Sequence, residues 1–142
     1  MTRVSFFPTA SVLLIGVLIC ANTFAQATKP AAKQIDIEQF DKLRLEKNNV
    51  VLDVRTAQEF NQGHVPGAVN VDIGDPQFKT KIASLDKSRT YLVHCAKGVR
   101  SARATKIMAP LGFTDILDYH GGFEEWKKSG KPVEKGEGKV AN

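Results

Sequence analysis

One stretch of the sequence concentrates reactive chemistry: His94-Cys95-Ala96-Lys97-Gly98-Val99-Arg100-Ser101. Cysteine is intrinsically a strong nucleophile, provided that it reacts as a thiolate. Two cations, Lys97 and Arg100, follow Cys95 within five residues. Gly98 frees the loop to turn its backbone inward, so that successive N–H groups converge into an anion-binding nest. A helix beginning at about Ser101 adds partial positive charge at its N-terminus. These surroundings favour a thiolate and bind an anion in the same place. The competing reading of Cys95 is a packed core residue, a common fate of free cysteine. Its setting in a loop with Gly, Lys and Arg argues for chemistry instead.

Buried strands must aim that loop. Thr90-Tyr91-Leu92-Val93-His94 and Val50-Val51-Leu52-Asp53-Val54 are short apolar runs of the kind found in strands covered on both faces. Shorter runs at Gln34–Asp36, Ala68–Val71 and Asp115–Leu117 read as further strands. Between them the spacing predicts helices from Ile37 to about Lys47, up to Gln62, from about Gln77 to Leu85, from about Ser101 to Pro110, and from about Gly122 to Lys128. Thr56, with Glu59 three residues on, has the form of a capping box for the second helix. Strands alternating with helices imply parallel strands joined by crossovers, an α/β sandwich with helices on both faces. Ligands in such folds bind outside the carboxyl ends of the strands, where Cys95 falls.

The chain's 142 residues, 42% hydrophobic and 25% charged, suit one globular domain with tails. Its net charge of +5 is spread among interleaved acids, which argues against a nucleic-acid partner. Residues 1–25 differ from the rest. Arg3 is their only charge, and the apolar run Val12–Ala21 would span about half of a bilayer core. Thr23-Phe24-Ala25 then places small residues before Gln26, as in a cleavable secretory signal. Ile19 is too bulky for the lipoprotein alternative at Cys20. The expected destination is periplasmic or secreted, with no membrane contact after cleavage. Cleavage would leave Cys95 as the sole cysteine, a thiol that in an oxidising compartment must be either buried or used. Residues 26–33 read as a flexible linker, 34–134 as the domain, and the Gly- and Lys-rich 135–142 as a disordered tail.

The loop Cys95-Ala96-Lys97-Gly98-Val99-Arg100-Ser101 resembles the active-site loop of the rhodanese superfamily. Leu52-Asp53-Val54-Arg55, Glu59-Phe60 and Gly63-His64-Val65-Pro66-Gly67-Ala68-Val69-Asn70 resemble its amino-terminal signature. Gly121-Gly122-Phe123, Trp126, Gly130 and Pro132-Val133 resemble its carboxyl-terminal one. The match is collinear from about Ile35 to Val133 and is closest to single-domain exported members. It implies a three-layer rhodanese-like sandwich, a five-stranded parallel sheet with helices on both faces. It also implies sulfur transfer from a small anionic donor such as thiosulfate to cyanide or a thiol, through a Cys95 persulfide. A protein could also serve as acceptor, and the alternative function is a persulfide carrier or sensor with little turnover of its own. Neither metal nor organic cofactor is called for. Four residues separate Cys95 from Arg100, one fewer than in the phosphatase and arsenate-reductase relatives.

The resemblance assigns Cys95 as the nucleophile and Ala96, Lys97, Gly98, Val99 and Arg100 as substrate-binding. Lys97 would attract the donor's anionic end, while Ala96 stands where thiosulfate-type members carry a second base. Arg100 has two roles open to it: meeting substrate, or tying the loop down through its fork of donors. Asp53, Arg55 and Ser101 are expected to support the loop. Strand alternation turns His94 away from the nucleophile, as a packing residue. His64 and His120 are too far apart to suggest a metal pair, and Phe123 and Trp126 read as core.

Overall fold

The apolar runs form strands that lie side by side and all point the same way. The structure, a computed structural model, describes residues 32–138. The expected signal segment, residues 26–31 and residues 139–142 lie outside the described residues. Along the chain come β1 (Lys33–Ile35), α1 (Ile37–Leu43), β2 (Asn49–Asp53), α2 (Ala57–Gln62), β3 (Val69–Asn70) and α3 (Phe78–Ala83). They are followed by β4 (Thr90–His94), α4 (Val99–Met108), a 3-10 turn (Ala109–Leu111), β5 (Ile116–Tyr119) and α5 (Gly122–Lys128). The sheet order is β1-β5-β4-β2-β3, every pair parallel.

Alternation along the two central strands builds two cores. Leu52 and Val93 face α3 and α4, packing with Phe78, Ile82, Ala104 and Met108. Val51 and Leu92 face the other way, with Phe40 of α1, Phe60 of α2 and Trp126 of α5. This gives the three-layer sandwich expected from the sequence. Both central strands are covered on both faces, which is why they read as nearly continuous apolar runs.

Some boundaries differ from expectation. α1 stops at Leu43 rather than near Lys47, because the Asn49 side chain donates to the Leu43 carbonyl at 2.9 Å and ends the helical ladder there. Leu45, part of the expected periodicity, is exposed. α4 begins two residues early, at Val99, because Gly98 at φ +87° makes the turn into it.

Beyond α5 the chain runs back along the mouth of the sheet. Trp126 Nε1 donates to Pro132 O at 2.7 Å, and His64 and Glu134 exchange backbone hydrogen bonds at 2.8 and 2.9 Å. Gly136 N–H then donates to Asn61 O at 3.0 Å. Gly136, which composition places in the tail beyond the domain, is thus tied to α2.

The order of the strands reverses around β4 and β2, and the register sets Asp53 opposite His94. The loops leaving these two strands therefore diverge from one point. That is where a crevice opens in a sheet of this kind.

Candidate active site

Cys95 leaves the end of β4 and is 1% exposed, with its Sγ accepting the Gly98 N–H at 3.2 Å. Two glycines make this geometry possible. A Cβ on Gly98 would collide with the His120 carbonyl, and one on Gly122, at φ +67°, with the Ala96 and Cys95 carbonyls. That close approach lets the start of α5 clamp the loop. Phe123 N–H donates to Cys95 O at 2.8 Å and Glu124 N–H to Ala96 O at 3.1 Å. On the opposite side Ser101 Oγ donates to Gly98 O at 3.0 Å. The loop's carbonyls are thus held from outside, while the first N–H groups of α4 have no acceptor within the helix and leave positive potential at the turn.

Arg100 spends its fork on a neighbour. Its Nη1 and Nη2 each lie 2.7 Å from a different carboxylate oxygen of Glu59. Glu59 also caps α2, accepting from Thr56 N at 3.1 Å and Thr56 Oγ1 at 3.0 Å. The Arg100 guanidinium holds the Glu59 carboxyl down to about 2, and Glu59 in turn pushes Arg100 further up. Of the two roles open to Arg100, this geometry is that of a tie between the loop and α2.

Asp53 and Arg55 form a buried pair at the end of β2. Arg55 Nε lies 3.0 Å from both carboxylate oxygens and Nη2 2.6 Å from Oδ2, with a further bond to Gly63 O at 2.8 Å. Asn70 Nδ2 braces the turn by donating to Asp53 O and Arg55 O. The guanidinium stacks 4.0 Å over the Phe123 ring. His94, fully buried, packs edge-on to Phe40 on the face away from Cys95 Sγ, as alternation requires. Its Nδ1 lies 3.2 Å from Cys95 O, its Nε2 stands 3.7 Å from Asp53 Oδ2 with no hydrogen-bond partner among the described residues, and burial pushes the ring below its usual 6.5. It is a neutral strut.

Beside the loop opens a cavity of about 550 Å³, floored by Phe123 and walled by Ala96, Arg55 and Val133. Lys97 does not line it. Its side chain is 72% exposed, with Nζ 3.5 Å from Glu124. Lys127 and Lys135 do line it. Neither carried a signal in the sequence, because Lys135 reaches the cavity only through the His64–Glu134 bridge, made across 70 residues of chain. Glu59 was legible as a cap, whereas its grip on Arg100 depends on how α2 and α4 meet in space.

Residues 36–129 match the family profile described as Rhodanese-like domain. The chain belongs to the rhodanese family. The thiosulfate sulfurtransferase 16 of Arabidopsis thaliana chloroplasts is 38% identical over 92 residues, covering 58% of this chain and 77% of the relative. Thiosulfate sulfurtransferase GlpE of Pseudomonas savastanoi pv. phaseolicola is 36% identical over 95 residues, covering 67% and 87%. The crystal structure of a rhodanese-related protein from Thermoplasma volcanium superposes with a TM-score of 0.62 at 31% identity, covering 72% of this chain and 97% of that one. In this rhodanese the matched span holds both central strands, the Cys95 loop and the α5 clamp. The strap at residues 132–138 lies beyond it.

Proposed function

We propose that this rhodanese is a sulfurtransferase carrying sulfane sulfur as a persulfide on Cys95. The observation that carries the reading is the Cys95 Sγ facing the Gly98 N–H in a loop whose carbonyls are tied to α5. Two of its relatives bear the name thiosulfate sulfurtransferase, which supports the general activity. The Cys95 thiolate attacks the outer sulfur of thiosulfate. A sulfur–sulfur bond forms, the bond to the sulfonate sulfur breaks, and sulfite leaves with the electron pair. The terminal sulfur's negative charge then falls where the loop N–H and the α4 N-terminus are electropositive. Cyanide or a thiol attacks that sulfur and releases the Cys95 thiolate.

The open cavity beside the loop favours turnover with small substrates over a pure carrier role. Steady-state release of sulfite from thiosulfate, with a thiol or cyanide present, tests this. Multiple turnovers are expected, whereas a single equivalent of sulfite followed by arrest would mark a carrier. Export through residues 1–25 is part of the proposal. Amino-terminal sequencing of the exported protein should begin at Gln26, and full-length chain in the cytoplasm would overturn this point.

A further inference from the structure

Ala96, the residue after Cys95, lines the cavity beside the loop. The cavity's volume of about 550 Å³ leaves room for a small organic thiol. The charges on its wall do not cancel. Arg55 is neutralised by Asp53 at 2.6 Å, and Glu59 by Arg100 at 2.7 Å. Glu124, also on the wall, is paired with Lys97 at 3.5 Å. Lys127 and Lys135 remain, and neither has an ion-pair partner among the described residues.

Both lysines are placed by the fold. Lys127 Nζ stands 5.3 Å from the centre of the Phe123 ring, on the cavity floor. The backbone of Lys135 is pinned on either side, by the Glu134–His64 bridge and by the Gly136–Asn61 bond. A third tie, Gly67 N–H to Glu134 Oε2 at 3.2 Å, holds the same stretch. Phe123 and Val133 supply apolar surface between the cations and the loop.

From this arrangement we propose that the cavity seats the sulfur acceptor, and that Lys127 and Lys135 select a thiol bearing a carboxylate. The inference rests on the sulfurtransferase reading and names the acceptor class for that same site. The acceptor's thiolate attacks the outer sulfur of the Cys95 persulfide. A new sulfur–sulfur bond forms and the bond to Cys95 Sγ breaks. Cys95 keeps the electron pair as a thiolate, and the acceptor departs as a persulfide, with no oxidant required. Anchoring the carboxylate on the lysines holds the thiolate in reach, which turns an encounter into an oriented attack.

The two half-reactions can be measured apart. Protein is loaded with thiosulfate, freed of excess donor, and discharged with mercaptopropionate or with mercaptoethanol while intact mass is followed. The readout is how the ratio of the two discharge rates changes between proteins. In K127Q/K135Q the ratio of carboxylate to neutral thiol should fall about fivefold, the size of one screened charge contact. Lys135→Glu, an equal change in charge, should lower it as well, and added salt should shrink the wild-type preference. An unchanged ratio in both variants overturns the proposal. So does a ratio that holds while thiosulfate loading slows, since the lysines would then serve the donor. Wild-type protein that never loads would instead sink the sulfurtransferase reading itself, and this inference with it.

Discussion

Cys95 stood out in the sequence as the candidate nucleophile because a thiol, a glycine and two cations fall together in the chain. Arg100 and Lys97 were legible as charges but not as partners. Where a long side chain points is decided by packing around it, and Lys97 points out to Glu124 while Arg100 reaches α2. The Arg100–Glu59 pair gives a specific expectation. Arg100→Ala removes a cation near the thiol and also leaves the Glu59 carboxylate uncompensated at the cavity wall, where it repels an anionic donor. Loading by thiosulfate should slow by about 10²-fold, within the range for loss of one anion-stabilising group. Adding Glu59→Gln to that variant should recover part of the loss, because the repelling charge goes with it. A double-mutant cycle on loading rates checks the pair, and additive losses would show that the two residues act independently.

At the scale of elements, the strands and helices followed from period and composition, since the central strands are buried on both faces and the helices on one. The turn from β4 into α4 was legible through Gly98. The clamp from α5 was not, because its groups are backbone N–H of Phe123 and Glu124, which carry no sequence signature beyond Gly122. That glycine carries the test. Gly122→Ala puts a methyl group against the Ala96 and Cys95 carbonyls at a positive φ, so loop and helix must part. Thiosulfate loading should fall by more than about tenfold while far-UV circular dichroism keeps the native helix content. This follows from the sensitivity of a positioned nucleophile to shifts of about 1 Å. Wild-type loading in this variant would show that the clamp does not set the position of Cys95.

Over the whole molecule, the three-layer fold was readable because alternating strand and helix patterns admit few other architectures. The strap was not, since a Gly- and Lys-rich sequence gives no sign of the backbone bridge that fixes it. Buried polar groups make stability depend on pH. Burial depresses His94, so the unfolded chain takes up a proton first as pH falls below 6.5, and stability declines in that direction. Glu59, depressed from 4.5 to about 2, adds stability that is full above 4.5 and lost as pH falls through about 2. Asp118 is pushed up by burial and works against that second loss. Urea titrations between about pH 5 and 7 follow the slope to which His94 contributes, and it should flatten in His94→Gln; an unchanged slope would assign it to another group. Whether Cys95 carries sulfur is read from intact mass after incubation with thiosulfate. The wild-type protein should gain one sulfur atom, lost on adding cyanide and absent in Cys95→Ser, whose hydroxyl stays protonated at neutral pH. No gain in the wild-type protein, or an equal gain in Cys95→Ser, would contradict a persulfide on Cys95.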